Sequence, residues 1–212
     1  MSDNSTVLDT LTKEQEGELI ELYKKGRYEA LIKQASMLTE KFPNAVMLFN
    51  SLGVANVGLN RFDLAIKNYN RAIYLDPKSA EIRRNLGNVL TKKGDFKSAI
   101  TCYQQAIEIN PNYVEAHDSL GNALRAIGQF TAAIESHQRA IEIDPNLAEV
   151  HNNLGNCLQE KGDFQAAINY YRRAIELKPE FFQGYNNLGI ALKEQNELDT
   201  AINSYQSAIE LN

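Results

Sequence analysis

The residues best placed to do chemistry in this sequence are asparagines. Asn88, Asn122 and Asn156 stand 34 residues apart, as do Asn152 and Asn186, and Asn153 and Asn187. Asn50 falls in the column of Asn152 and Asn186, and Asn85 in that of Asn153 and Asn187. A primary amide carries two N–H donors and a carbonyl acceptor. A row of them can therefore pair with the N–H and C=O groups of an extended peptide, largely irrespective of its side chains. Asparagine is disfavoured inside helices because it competes for backbone hydrogen bonds. Solvation of an exposed face accounts plainly for some of these residues; the two columns holding Asn85 and Asn88 favour a peptide partner.

Other reactive side chains are few. His117 and His151 share a column with Phe49 and Tyr185, and His137 shares one with Tyr69 and Tyr103, so all three read as aromatic substitutes in packing positions. Cys102 and Cys157 are the only cysteines, and neither has ligand spacing. A phosphate loop, a GxSxG elbow and an HExxH helix are all lacking in the sequence. The expectation is a segment without catalytic residues, cofactor or metal.

The columns exist because the chain is periodic. All five prolines (Pro43, Pro77, Pro111, Pro145 and Pro179) are 34 residues apart. A Leu-Gly pair keeps the same step from Leu52-Gly53 to Leu188-Gly189. Ala65, Ala99, Ala133, Ala167 and Ala201 follow, then Ala72, Ala106, Ala140, Ala174 and Ala208, with Tyr69, Tyr103, His137, Tyr171 or Tyr205 between. Taking residues 80–113 as the type, helices are predicted over 80–92 and 96–109. Gly94 stops the first and Asp95 caps the second. Glycine within a helix, as at Gly87, costs about 1 kcal/mol relative to alanine. That cost predicts close backbone approach there, opposite Ala99 and Ala106.

This pattern resembles the tetratricopeptide repeat, a 34-residue helix–turn–helix. The resemblance covers residues 12–212 and implies an all-α, right-handed superhelical solenoid of six hairpins. These occupy 12–45, 46–79, 80–113, 114–147, 148–181 and 182–212, after a polar tail over 1–11. The family's tyrosine late in the first helix is replaced by Asn56, Leu90, Leu124, Leu158 and Leu192. Hairpin one is irregular: Leu19 takes the glycine position, Leu31 and Leu38 the alanine positions, and Ala35 the aromatic one. Exchange of large for small suits a terminal cap with its own complementarity. Hairpin six ends without the extra polar-faced helix usual in the family. The expected consequences are a longer parent protein and end-to-end self-association through this uncapped hairpin.

In the family the first helices line a concave face that binds ligands. The resemblance therefore implies a peptide-binding groove formed by Asn50, Arg84, Asn85, Asn88, Asn122, Arg125, Asn152, Asn153, Asn156, Asn186 and Asn187. The run Asn152–Asn156 is similar to the asparagine-lined superhelix of O-linked N-acetylglucosamine transferases and their bacterial relatives. Arg84 and Arg125 could attract an acidic ligand residue, and Met47, Val54 and Val57 offer an apolar strip. The carboxylate clamp of chaperone-binding members is not matched, because Ser119, Glu149 and Asn153 stand where asparagine, lysine and arginine are needed.

A net charge of −5, from 22 basic and 27 acidic residues, argues against nucleic acid as partner. There is no run of about 18 apolar residues to span a membrane. The start, MSDNSTVLDT, is not a secretory signal. Two isolated thiols suit the reducing cytoplasm. The expected function is protein–protein interaction, either as an adaptor or as the substrate-recruiting arm of a larger glycosyl- or sulfotransferase.

Overall fold

The computed structural model describes residues 10–211, so most of the proposed tail and Asn212 lie outside the described residues. All regular structure among the described residues is helical. α1 (Lys13–Lys24) and α2 (Tyr28–Lys41) form the first hairpin, followed by α3 (Val46–Gly58) with α4 (Phe62–Leu75). Next come α5 (Ala80–Lys92) with α6 (Phe96–Ile109), the spans that the spacing predicts, and α7 (Val114–Ala126) with α8 (Phe130–Ile143). α9 (Ala148–Glu160) with α10 (Phe164–Leu177) and α11 (Phe182–Glu194) with α12 (Leu198–Glu210) complete the series. The helices group into two compact units divided between Gln105 and Ala106, within α6.

The break inside each hairpin is a left-handed residue. Gly94 and Gly162 have φ of 80° and 89°, and where glycine is missing Asn60 and Asn196 take the same region at 57° and 63°. The next residue then closes the helix end, Asp95 N–H donating to Leu90 C=O at 2.9 Å and Asp163 N–H to Leu158 C=O at 2.9 Å. Both aspartates also cap the second helix, accepting from Ser98 N at 3.2 Å and Ala166 N at 3.1 Å.

The seam glycines serve a different end from the one expected. A Cβ at Gly53, Gly87, Gly121, Gly155 or Gly189 would lie 2.5–2.6 Å from the ring of Tyr69, Tyr103, His137, Tyr171 or Tyr205. The glycine makes room for an aromatic ring of the partner helix rather than for its backbone. Hairpin one inverts the arrangement. Leu19, Leu31, Ala35 and Leu38 are buried together, so the large residue sits on the first helix and the small one opposite.

In the first unit, Leu48, Leu52 and Ala55 of α3 pack into one cluster with Leu31, Ala35 and Leu38 of α2. Ile82, Leu86 and Val89 of α5 do the same with Ala65, Tyr69 and Ala72 of α4. The third, seventh and tenth positions of a first helix thus seat on the preceding hairpin. In α1 those positions hold Glu14, Glu18 and Glu21, all exposed. That face of α1 therefore presents three carboxylates where the other first helices present apolar residues.

In the second unit, Gly184 of α11 packs against Ile175 of α10 in the corresponding way. Ile168 of α10 is only 1% exposed, whereas its counterpart Ile202 of α12 is 53% exposed. Leu198 and Ile209, at 53% and 76%, extend that open apolar face. No helix among the described residues is long and apolar enough to cross a membrane.

Candidate functional site

In the first unit, α1, α3 and α5 line a groove of about 550 Å³. Ile20, Tyr23, Met47, Val54 and Val57 make its wall apolar, and Asn50, Asn85 and Asn88 supply the polar positions. Asn88 is fixed by Tyr103, whose hydroxyl donates to its Oδ1 at 2.8 Å. Position nine of hairpin two is Val54, so the corresponding Tyr69 hydroxyl meets no amide there. The Oδ1 of Asn50 is buried with no hydrogen-bond partner. Arg84 is half-buried one residue before Asn85.

The second unit carries a groove of about 640 Å³ between α9, α11 and α12, and here amides dominate. The Tyr171 hydroxyl donates to Asn156 Oδ1 at 2.9 Å. Asn187 Nδ2 donates both to Asn152 Oδ1 at 2.9 Å and to Asn156 Oδ1 at 3.2 Å. Asn186 points outward from the same wall and is exposed. Burial raises the Tyr171 phenol well above its ordinary pKa, so it remains a donor at any physiological pH.

Two predicted residues, Asn122 and Asn153, belong to a separate polar node. Asn153 Nδ2 donates to Asp118 Oδ1 at 3.0 Å and Asn122 Nδ2 to Asp118 Oδ2 at 3.4 Å. Asp118 did not emerge from the sequence as a candidate, though it stands 34 residues before Asn152. Along the sequence a lone carboxylate in that column is indistinguishable from ordinary surface charge. Arg125 is not idle either. Its Nη1 reaches Glu160 Oε1 at 2.6 Å, so its charge is already met within the chain. Glu149 binds Lys178 at 2.7 Å, and that hydrogen bond holds its carboxyl below the usual range.

The histidines pack as expected, and two do more. Nε2 of His117 and His151 lie 3.0 and 2.9 Å from the carbonyls of Pro111 and Pro145, tying each first helix to the turn before it. Both thiols are free, and burial holds them protonated, Cys157 being pushed up to about 11. Neither is an activated nucleophile. No group of three metal-ligating side chains is assembled among the described residues.

The model for the TPR repeat matches residues 53–94, 87–128 and 121–162, and models for the tetratricopeptide repeat match 148–181 and 170–203. The chain belongs to the tetratricopeptide repeat family. Those matches begin at Gly53, after the hairpin whose large and small residues are exchanged. Among solved structures, MamA is similar at 28% identity, covering 76% of this chain and 94% of that one with a TM-score of 0.70. YrrB, described as a TPR protein with an unusual peptide-binding site, is 21% identical over 84% of this chain and 92% of its own, TM-score 0.68. PilF of Pseudomonas aeruginosa shares the fold at 16% identity, 90% and 87% coverage and a TM-score of 0.79. No curated protein matches the sequence. Tetratricopeptide hairpins serve as protein-interaction modules, and this chain is one by fold.

Proposed function

We propose that this chain binds an extended polypeptide segment along its first helices, through asparagine amides. The observation that carries the reading is the direction imposed on those amides in the second unit. Asn156 Oδ1 accepts from both Tyr171 and Asn187, which uses its two lone pairs and leaves its N–H groups for a ligand carbonyl. Asn187 commits its Nδ2 to Asn152 and Asn156, leaving its Oδ1 for a ligand N–H. Donor and acceptor are thus presented at fixed positions before binding, which lowers the ordering cost of association.

In the first unit the binding residues are Asn50, Arg84, Asn85 and Asn88, and in the second Asn122, Arg125, Asn152, Asn153, Asn156, Asn186 and Asn187. Replacing Asn85, Asn153 and Asn187 together by alanine is expected to weaken peptide binding. Because Asn153 and Asn187 also carry internal bonds, Asn85→Ala with Asn186→Ala is the cleaner pair. The test is capture of a degenerate peptide library by the purified chain, then titration of the selected peptides. Affinity unchanged in the Asn85→Ala, Asn186→Ala variant at unchanged helicity defeats the reading. The two free thiols favour a cytoplasmic setting.

A second association follows from the open face of α12. We propose that Leu198, Ile202 and Ile209 meet the same face of a second copy about a two-fold axis. The head-to-tail alternative would set them against Glu14, Glu18 and Glu21 of α1, which offer no apolar seat. A Leu198→Glu, Ile202→Glu variant is expected to lower the mass measured by light scattering at high concentration. A wild-type chain that stays monomeric there removes this reading.

A further inference from the structure

The fourth hairpin departs from its neighbours at two coupled positions. In the third and fifth, a tyrosine hydroxyl is donated to the asparagine of position nine, Tyr103 to Asn88 at 2.8 Å and Tyr171 to Asn156 at 2.9 Å. In the fourth the tyrosine column holds His137, which has no hydroxyl to give, and Asn122 turns its Nδ2 to Asp118 Oδ2 at 3.4 Å instead. Position five, an asparagine at Asn50, Asn152 and Asn186 and an arginine at Arg84, is here Asp118 itself.

The carboxylate is oriented from three sides. Asn122 approaches Oδ2, Asn153 Nδ2 donates to Oδ1 at 3.0 Å, and His137 Nδ1 lies 3.1 Å from the same oxygen. The His137 ring is 0% exposed, and neither nitrogen makes a well-directed hydrogen bond. Asp118 keeps 25% of its side chain open to solvent. The nearby ion pairs of this unit are closed on themselves, Arg125 with Glu160 and Lys178 with Glu149. Among the described residues of residues 106–212, no lysine or arginine nitrogen comes within ion-pair distance of Asp118.

A carboxylate has about four lone-pair sites, and the long bond from Asn122 leaves Oδ2 the less engaged oxygen. Hydrogen bonds to an ionised acceptor are roughly twice as strong as neutral ones. An anionic position beside the amides of Asn122 and Asn153 therefore selects what those amides cannot. We infer that Asp118 is a cation-reading subsite, taking a lysine or arginine side chain of the bound segment while neighbouring amides hold its backbone. The subsite rests on the peptide-binding reading above and gives the bound segment a register, since a basic residue must fall opposite Asp118. The net charge of −5 favours approach of such a ligand.

The test uses the full chain and four extended Ala/Ser/Gly peptides identical except for a central arginine, lysine, citrulline or glutamate. Citrulline keeps the shape of arginine without its charge. The arginine and lysine peptides are expected to bind about tenfold tighter than the citrulline peptide, the equivalent of roughly 1.4 kcal/mol. The glutamate peptide should bind more weakly than citrulline. In Asp118→Asn the four should converge on the citrulline affinity at unchanged helicity. On the wild-type chain, rising salt should erase the arginine–citrulline difference without moving citrulline itself. Equal arginine and citrulline affinities, a preference that survives Asp118→Asn, or one indifferent to salt would each overturn the subsite and leave the groove reading standing. Failure of all four peptides to bind overturns both.

Discussion

The two grooves are built on the same hairpin yet differ in how their polar groups are engaged. In the first unit the wall is apolar, Tyr69 faces Val54 where an asparagine would stand, and Asn50 Oδ1 is buried unpaired. In the second, Tyr171, Asn152, Asn156 and Asn187 hold one another. An apolar wall contributes burial energy, about 25 cal/mol per Å², and tolerates many ligand shapes. An interlocked amide row contributes little net energy per bond but fixes direction. The same fold therefore offers a permissive grip at one place and an oriented one at another.

Both grooves stand on glycine–tyrosine seams of the same construction, and the largest expected effect tests whether these are equally stable. Gly53→Val and Gly155→Val each force side-chain atoms into a tyrosine ring, and each should cost about 3 kcal/mol by overpacking. Urea unfolding reads the value, and a marked inequality would break the premise of a common scaffold. Next, Asn187→Ala should destabilise by about 1–2 kcal/mol through its lost bonds to Asn152 and Asn156. Asn85→Ala should stay within about 0.5 kcal/mol, and matching losses would show that the first groove is as interlocked as the second.

A smaller contrast is expected between the tyrosines. Tyr171→Phe removes the donor to Asn156 and should cost about 1 kcal/mol, against a few tenths for Tyr69→Phe. The smallest effect is expected from the converse change, in the first unit. Val54→Asn restores the missing amide beside Tyr69, and a double-mutant cycle with Tyr69→Phe should return a coupling of about 0.5 kcal/mol. Zero coupling would mean that the tyrosine–asparagine pair depends on more of the second unit than these two residues.

Much of the fold could be read from the residues because each hairpin depends on local rules. Gly94-Asp95 and Gly162-Asp163 announce a helix end and a helix start within two residues, and the 34-residue step repeats the announcement. The glycine of the Leu-Gly pair was legible as a space, but what fills it was not. A ring sixteen residues away closes that space, and only packing shows that it is Tyr103 rather than the backbone near Ala99. The site was half legible. The asparagine columns lie in the sequence, whereas their mutual bonds join residues 31 and 35 apart and depend on how one hairpin seats on the next.

Period, helix spans, the exchanged sizes of the first hairpin and the excess of asparagine were determined by the sequence alone, because each is a matter of local geometry or of composition in register. Which amides face a ligand and which face each other was decided only by tertiary structure. So was the setting of Asp118, whose surroundings come from α7, α8 and α9 at once. An amide and a carboxylate read alike as polar residues along a helix. They diverge when neighbouring helices choose their partners, because a buried or half-buried polar atom must be satisfied by whatever the packing brings within reach.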